Sequence, residues 1–168
     1  MFRDFRKLNS RTVCDAYHIP RIDESLDALG EAKYFSSLDL MSGYLQVGMA
    51  QDDRRKTAVK TPMGLYEYTC MPFGLMNAPA TFQRLMNTVL GDMNLSEVLI
   101  YLDVIIVFSS TIDEHLTRLE SVFTRFKQHR LRLKPSKCNL LQQQFQYLGQ
   151  NYVWVNESPD KKNISMLC

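Results

Sequence analysis

The sequence predicts an α+β fold, a ferredoxin-like sandwich of split βαβ order, within one chain of 168 residues. Three observations predict it. Val98–Phe108 is an apolar, β-branched run broken by one carboxylate, Asp103; an apolar-striped helix lies on each side of that run; and a strand stands before the first helix and after the second. An ionised Asp buried without a partner costs several kcal/mol or becomes neutral. The run therefore divides into two strands, Glu97–Leu102 and Val104–Phe108, with Asp103 on the tight turn between them. Asp is also an ordinary turn residue, so this placement alone is compatible with plain turn geometry.

Residues 1–33 hold Asp4-Phe5-Arg6-Lys7-Leu8-Asn9, an extended link through Pro20, and a short helix with Ile22, Leu26 and Leu29 on one face and Gly30 as its stop. Tyr34–Asp39 is a strand ending in a second carboxylate, and Ser42-Gly43 turns the chain into a further strand, Tyr44–Met49. Gln51–Lys56 is a charged turn, either solvent-facing or able to touch phosphate, and Thr57–Thr61 with Leu65–Cys70 forms a hairpin around Pro62-Met63-Gly64. After the loop Met71–Leu75, Asn77-Ala78-Pro79 opens a helix with Phe82, Leu85, Met86, Val89 and Leu90 apolar, and Gly91 ends it. Thr111-Ile112-Asp113-Glu114 is a capping box, followed by a buried stripe of Leu116, Leu119, Val122, Phe123 and Phe126. Arg130–Lys134 reads as a strand and Pro135–Cys138 as a turn. Phe145–Leu148 with Tyr152–Val155 makes a last hairpin, and a polar tail runs from Asn156.

With Tyr44–Cys70 inserted, this order lays the first strand beside the central hairpin and can bring Asp39 and Asp103 to one edge. Two carboxylates about 4 Å apart repel by roughly 4 kcal/mol at an effective dielectric near 20. A divalent cation reverses that sign.

Composition narrows the class. The chain is 45% hydrophobic, and 20 Lys and Arg against 18 Asp and Glu leave a net charge of +2, which permits a polyanionic partner without requiring one. Cys14, Cys70, Cys138 and Cys168 are widely spaced with no C-x-x-C, which excludes a zinc-site or disulfide-framework pattern. The charged N-terminus lacks the apolar core of a signal peptide, and no run approaches about 18 apolar residues. The expectation is a soluble, intracellular, non-secreted chain with no membrane partner.

Four blocks carry a resemblance: Tyr34-Phe35-Ser36-Ser37-Leu38-Asp39-Leu40-Met41-Ser42-Gly43-Tyr44; Met71-Pro72-Phe73-Gly74-Leu75-Met76-Asn77-Ala78-Pro79-Ala80-Thr81-Phe82-Gln83; Tyr101-Leu102-Asp103; and Lys134-Pro135-Ser136-Lys137-Cys138. In this order they resemble the reverse transcriptase domain of gypsy-type long-terminal-repeat retrotransposons. The resemblance implies a palm with an inserted partial-fingers hairpin region, as a domain over 1–155 (1–33 the fingers/palm link, 34–155 the palm) with 156–168 as the tail. It implies RNA-directed DNA polymerase chemistry on an RNA or DNA template with a primer strand and a dNTP. Two Mg²⁺ ions, or Mn²⁺, would be held by Asp39, Asp103 and the Leu40 carbonyl. Tyr44 resembles the ring beneath the incoming sugar, Phe73 and Gly74 the nucleotide-pocket loop, Leu148 and Gly149 the primer grip, and Lys137 the basic residue behind the metal site. In an intact element such a domain is joined to ribonuclease H and integrase.

Two departures qualify the resemblance. The family turn is Tyr-x-Asp-Asp, whereas here Tyr101-Leu102-Asp103 is followed by Val104. Val cannot bind a cation, so impaired catalysis is expected. The chain as given also starts after the family's main fingers strands and stops soon after Gly149, so weakened substrate binding is expected of it. The alternative is a non-catalytic nucleic-acid-binding remnant whose basic face, Arg125, Lys127, Arg130, Arg132, Lys134 and Lys137, still attracts phosphate.

Overall fold

The computed structural model describes residues 4–17, 29–30, 32–101, 104–147, 150–155 and 163–167. Its central sheet comprises β1 (Tyr34–Asp39), β4 (Val98–Tyr101), β5 (Val104–Ser109) and β6 (Asn139–Gln142), in the order β4-β5-β1-β6. Neighbouring strands are antiparallel. Helices α3 (Ala78–Leu90) and α4 (Ile112–Gln128) complete the split βαβ arrangement. Before them come α1 (Arg6–Asn9), α2 (Gln51–Arg54) and the small hairpin β2 (Val59–Thr61) and β3 (Gly64–Tyr66). A three-stranded sheet of β7 (Gln144–Tyr147), β8 (Gln150–Val155) and β9 (Asn163–Leu167) follows β6.

Burial explains why the central run does not alternate. Ile105 and Val107 pack with Leu38, Phe82, Met86, Val89, Leu119, Val122 and Phe126 beneath the helices. Ile106 and Phe108 pack with Leu29, Ala32, Phe35 and Leu99 on the opposite face. A strand buried on both sides has no polar face to show.

Helix α3 starts with Pro in its first turn, and α4 is capped as its sequence reads: the Thr111 hydroxyl accepts from the Glu114 N–H at 3.3 Å, while the Glu114 carboxylate accepts from the Ser110 N–H. The expected α4 stripe needs correction, because Leu116 and Phe123 are 50% and 38% exposed, while Leu119, Val122 and Phe126 are buried with His115. Across the bundle, the Arg125 guanidinium pairs with both Asp92 oxygens and donates to the Val89 carbonyl, fastening the end of α3 to α4.

Five other expectations differ from the structure. Tyr44–Met49 is not a strand: Gly43–Gln46 is a 3₁₀ turn. Gln51–Lys56 is not a simple turn: α2 runs into a second 3₁₀ turn, Arg55–Thr57, with Asp52 and Asp53 in its first turn and Arg54 in its last, signs that suit the helix dipole. Arg130–Lys134 is not a strand either. Helix α4 ends in a Schellman motif, with the Leu131 N–H donating to the Phe126 carbonyl at 2.8 Å and Arg130 at φ +56° in place of the usual Gly. Leu131 and Leu133 pack on the core, and the expected strand is reduced to a single antiparallel bridge between Leu133 and Leu40. The fourth strand is instead Asn139–Gln142, and the stretch expected as tail contributes β9, paired to β8. The hairpin Thr57–Cys70 is shortened to β2 and β3, while the helix expected around Ile22 and Leu26 lies outside the described residues. Among the described residues, no helix is long and apolar enough to cross a membrane.

Candidate active site

The site begins where β1 ends. Successive residues of a strand point to opposite faces, so Leu38 and Leu40 join the core under the helices while Phe35 and Asp39 turn to the other side. The Cα partner of Asp39 across the ladder is Val104, the residue after Asp103 in the chain. Directly opposed residues share a face, and Val104 is 37% exposed there. Asp103 and Leu102 lie outside the described residues, as do Leu148 and Gly149. The backbone of Tyr101 pairs with Val104.

Beyond Asp39 the chain folds back sharply. Ser42 is left-handed at φ 50°, and a Cβ on Gly43 would stand 2.9 Å from two ring carbons of Phe82, so only Gly fits without displacing that ring. The 3₁₀ turn then directs the Tyr44 ring against Phe73, with centroids 5.2 Å apart, and edge-on to Phe82 at 5.4 Å. These ring contacts outweigh the β propensity of Tyr44–Met49. The loop carrying Phe73 is fixed from the N-terminal segment. The Asn9 amide donates to the Gly74 carbonyl at 2.8 Å and accepts from the Met76 N–H at 3.0 Å, and Gly74 takes φ +91°, a conformation L side chains resist.

Cations approach Asp39 from the segment after α4. Lys137 Nζ is 3.2 Å from Asp39 Oδ2, with the two side chains 57% and 32% exposed. The Lys134 N–H donates to the Asp39 carbonyl at 2.9 Å. Asp39, Met41, Ser42, Phe73, Lys134 and Lys137 border a cleft of about 370 Å³, with Leu40, Gly43 and Phe82 behind them. The structure thus brings Asp39, Leu40, Phe73 and Lys137 to one cleft, with Tyr44 packed behind Phe73, Gly74 next in the loop and Val104 opposite the acid.

Several site residues escaped the sequence reading. Gln46 holds the two sides of the cleft together: its amide donates to the Met41 and Arg132 carbonyls at 2.8 and 2.9 Å and accepts from the Arg132 N–H at 2.7 Å. Asn77 reads as a helix cap, yet its side chain bonds the Val13 carbonyl and the Asp15 N–H instead. Long-range amide clamps such as these, with Asn9 and Lys134, leave no local spacing to detect.

Among the described residues, no group of three or more His, Cys, Asp and Glu side chains is placed to hold a metal ion. Asp39 is nonetheless suited to a hard cation: it is a carboxylate open to the cleft, and it already holds an ammonium. Asp103 is the acid that would have to join it.

A family model described as reverse transcriptase (RNA-dependent DNA polymerase) matches residues 1–152. The chain is 46% identical over 146 residues, 87% of its length, to the Retrovirus-related Pol polyprotein from transposon 297 of Drosophila melanogaster, and 38% identical over 146 residues to that from transposon gypsy of the same organism. It spans 14% of the length of each of these curated relatives. Among solved structures, the foamy viral protease-reverse transcriptase in complex with RNA/DNA hybrid superposes with a TM-score of 0.81 at 25% identity, over 89% of this chain and 20% of that one. The antiparallel sheet with two helices on one face is therefore a reverse transcriptase palm, and the chain belongs to the reverse transcriptase family, in its gypsy-type retrotransposon branch.

Proposed function

We propose that this chain is the nucleotidyl-transferring palm of an RNA-directed DNA polymerase, working on an RNA or DNA template with a primer strand inside a longer Pol polyprotein that also holds ribonuclease H and integrase domains. The register carries this reading. Asp39 stands opposite Val104, and Asp103 is joined to Val104 by one peptide unit, which spans about 3.8 Å between Cα atoms. The acid proposed to join Asp39 is thus the chain neighbour of the residue that faces it, and Asp39 borders a cleft of about 370 Å³.

Within this reading Asp39, Asp103 and the Leu40 carbonyl hold two Mg²⁺ ions, which when bound stabilise the attacking and leaving oxygens of the phosphoryl transfer. The chain's own residues do the rest. Tyr44, braced by Phe73 and Phe82, sets the floor under the sugar and leaves no room for a 2′-hydroxyl. Phe73 and Gly74 line the pocket, Lys137 supplies positive charge behind it, and Leu148 and Gly149 hold the primer end. Val104 removes one negative charge from a site that works by preorganised charge, so synthesis runs far below that of a two-aspartate turn. Primer extension on an RNA template with Mg²⁺ or Mn²⁺ tests this, comparing the chain with Val104→Asp, alone and within a full-length Pol polyprotein. The variant is expected to gain at least about tenfold. No gain overturns the assignment of Val104 as the impairing residue, and an Asp39→Asn variant as active as its parent overturns the polymerase reading.

The exposed valine beside Asp39 also favours a second reading, a palm that binds nucleic acid without extending it. That reading predicts binding that weakens steeply with salt and no extension by any variant.

A further inference from the structure

The Asp39 carboxylate is not idle. Lys137 Nζ sits 3.2 Å from Oδ2, and more than half of the lysine side chain is open to solvent. Lys134 and Lys137 both border the cleft, while Asp39 is the single acid among its described lining residues. Val104, on the same face opposite Asp39, offers no second carboxylate to draw the ammonium away. The lysine is carried on the short turn Pro135–Lys137, which is held by the Lys137 N–H donating to the Lys134 carbonyl and the Lys134 N–H donating to the Asp39 carbonyl. Backbone and side chain therefore anchor the same ammonium over the same acid.

We infer that Lys137 is a built-in competitor for the metal at Asp39: its ammonium must leave the carboxylate before a divalent cation binds there. This rests on the reading of Asp39 as a metal ligand. The exchange costs little backbone rearrangement, because the stem is exposed and has four rotatable bonds. Its effect is a lowered affinity for the ion. An acid at position 104 would relieve the competition twice, as a further ligand and as an alternative seat for the ammonium, so the valine leaves the competition at its strongest.

The test is direct Mn²⁺ binding to the full chain at low ionic strength, followed by loss of the free-ion electron paramagnetic resonance signal, with no nucleic acid and no turnover. The proteins are the wild type, Lys137→Met, Lys137→Arg and Asp39→Asn, each checked for folding by circular dichroism. Lys137→Met is expected to bind Mn²⁺ roughly 3- to 10-fold more tightly, the scale of a half-exposed ion pair plus relieved repulsion. Lys137→Arg should match the wild type, Asp39→Asn should lose the site, and the gain in Lys137→Met should shrink as salt screens the charges. Equal or weaker binding by Lys137→Met, while Asp39→Asn loses the site, overturns the competition alone. Unchanged binding by Asp39→Asn, or no Asp39-dependent site in either wild type or Lys137→Met, overturns the reading of Asp39 beneath it.

Discussion

Ser36 and Asp39 stand three residues apart on β1 and face opposite ways, and their surroundings differ in kind. Ser36 belongs to a buried chain of hydrogen bonds in which every role is filled. The Ser109 hydroxyl donates to the Thr111 carbonyl, so its oxygen accepts from His115 Nδ1–H. His115 Nε2 then accepts from the Ser36 hydroxyl, whose oxygen accepts from the Leu141 N–H. These four contacts fix a neutral histidine with its proton on Nδ1 and join β6, β1, α4 and β5. Asp39 has one side-chain ion pair, open to water. The closed hydrogen-bond chain is built for stability, and the open carboxylate exchanges partners at little cost, as ligand binding requires.

Thermal or urea denaturation should separate the buried interior from the open cleft by magnitude. Met86→Ala, at a fully buried position under the sheet, should cost about 2–5 kcal/mol through lost burial and the cavity left behind. His115→Leu should cost roughly 2–4 kcal/mol, because it leaves the Ser36 hydroxyl proton and one Ser109 lone pair buried without a partner; a loss near zero would show that the chain of bonds does not stabilise the fold. Gly43→Ala, at the rim of the cleft, should cost about 1–3 kcal/mol by pressing on Phe82.

Acid offers a gentler probe of the same histidine. Burial, reinforced by the nearby Arg118 charge against a weaker opposing pull from Glu114, holds the His115 pKa below its ordinary 6.5. The folded protein therefore resists a proton that the unfolded chain accepts. Stability should be level above about pH 6.5 and fall below it by at most about 1.4 kcal/mol per pH unit, until the folded-state pKa is passed. His115→Gln should flatten that segment of the pH–stability profile. The smallest change belongs to the open cleft: Val104→Asp should lower stability by only about 0.2–1 kcal/mol through like charge opposite Asp39, while primer extension should rise at least about tenfold.

The same contrast explains what the sequence disclosed. Strand β1 and helix α3 have the bounds that were expected because their signals are local: an apolar run closed by Asp39, and Pro79 followed by Phe82, Met86, Val89 and Leu90. Strand β6 was illegible. All four of its residues are exposed, it carries Leu141 at φ +53°, and it joins β1 across a register shift, so nothing in Asn-Leu-Leu-Gln alternates. The Arg130–Lys134 segment misled for the converse reason, with Leu131 and Leu133 covering the core and a single bridge, Leu133 to Leu40, in place of a strand. At the site, Asp39 was legible as the acid that closes β1 and Phe73 and Lys137 through motif resemblance, whereas Gln46, Asn9 and the Ser36–His115–Ser109 chain depend on contacts between distant segments.

Valine at 104 sits at the first position of β5, partly exposed and paired on both sides, where a β-branched residue is at home. The residue is therefore expected to leave intact the stability on which resistance to proteolysis and chaperone capture depends. An impairment of the kind proposed would be silent to any check that reads shape and visible to a copying assay.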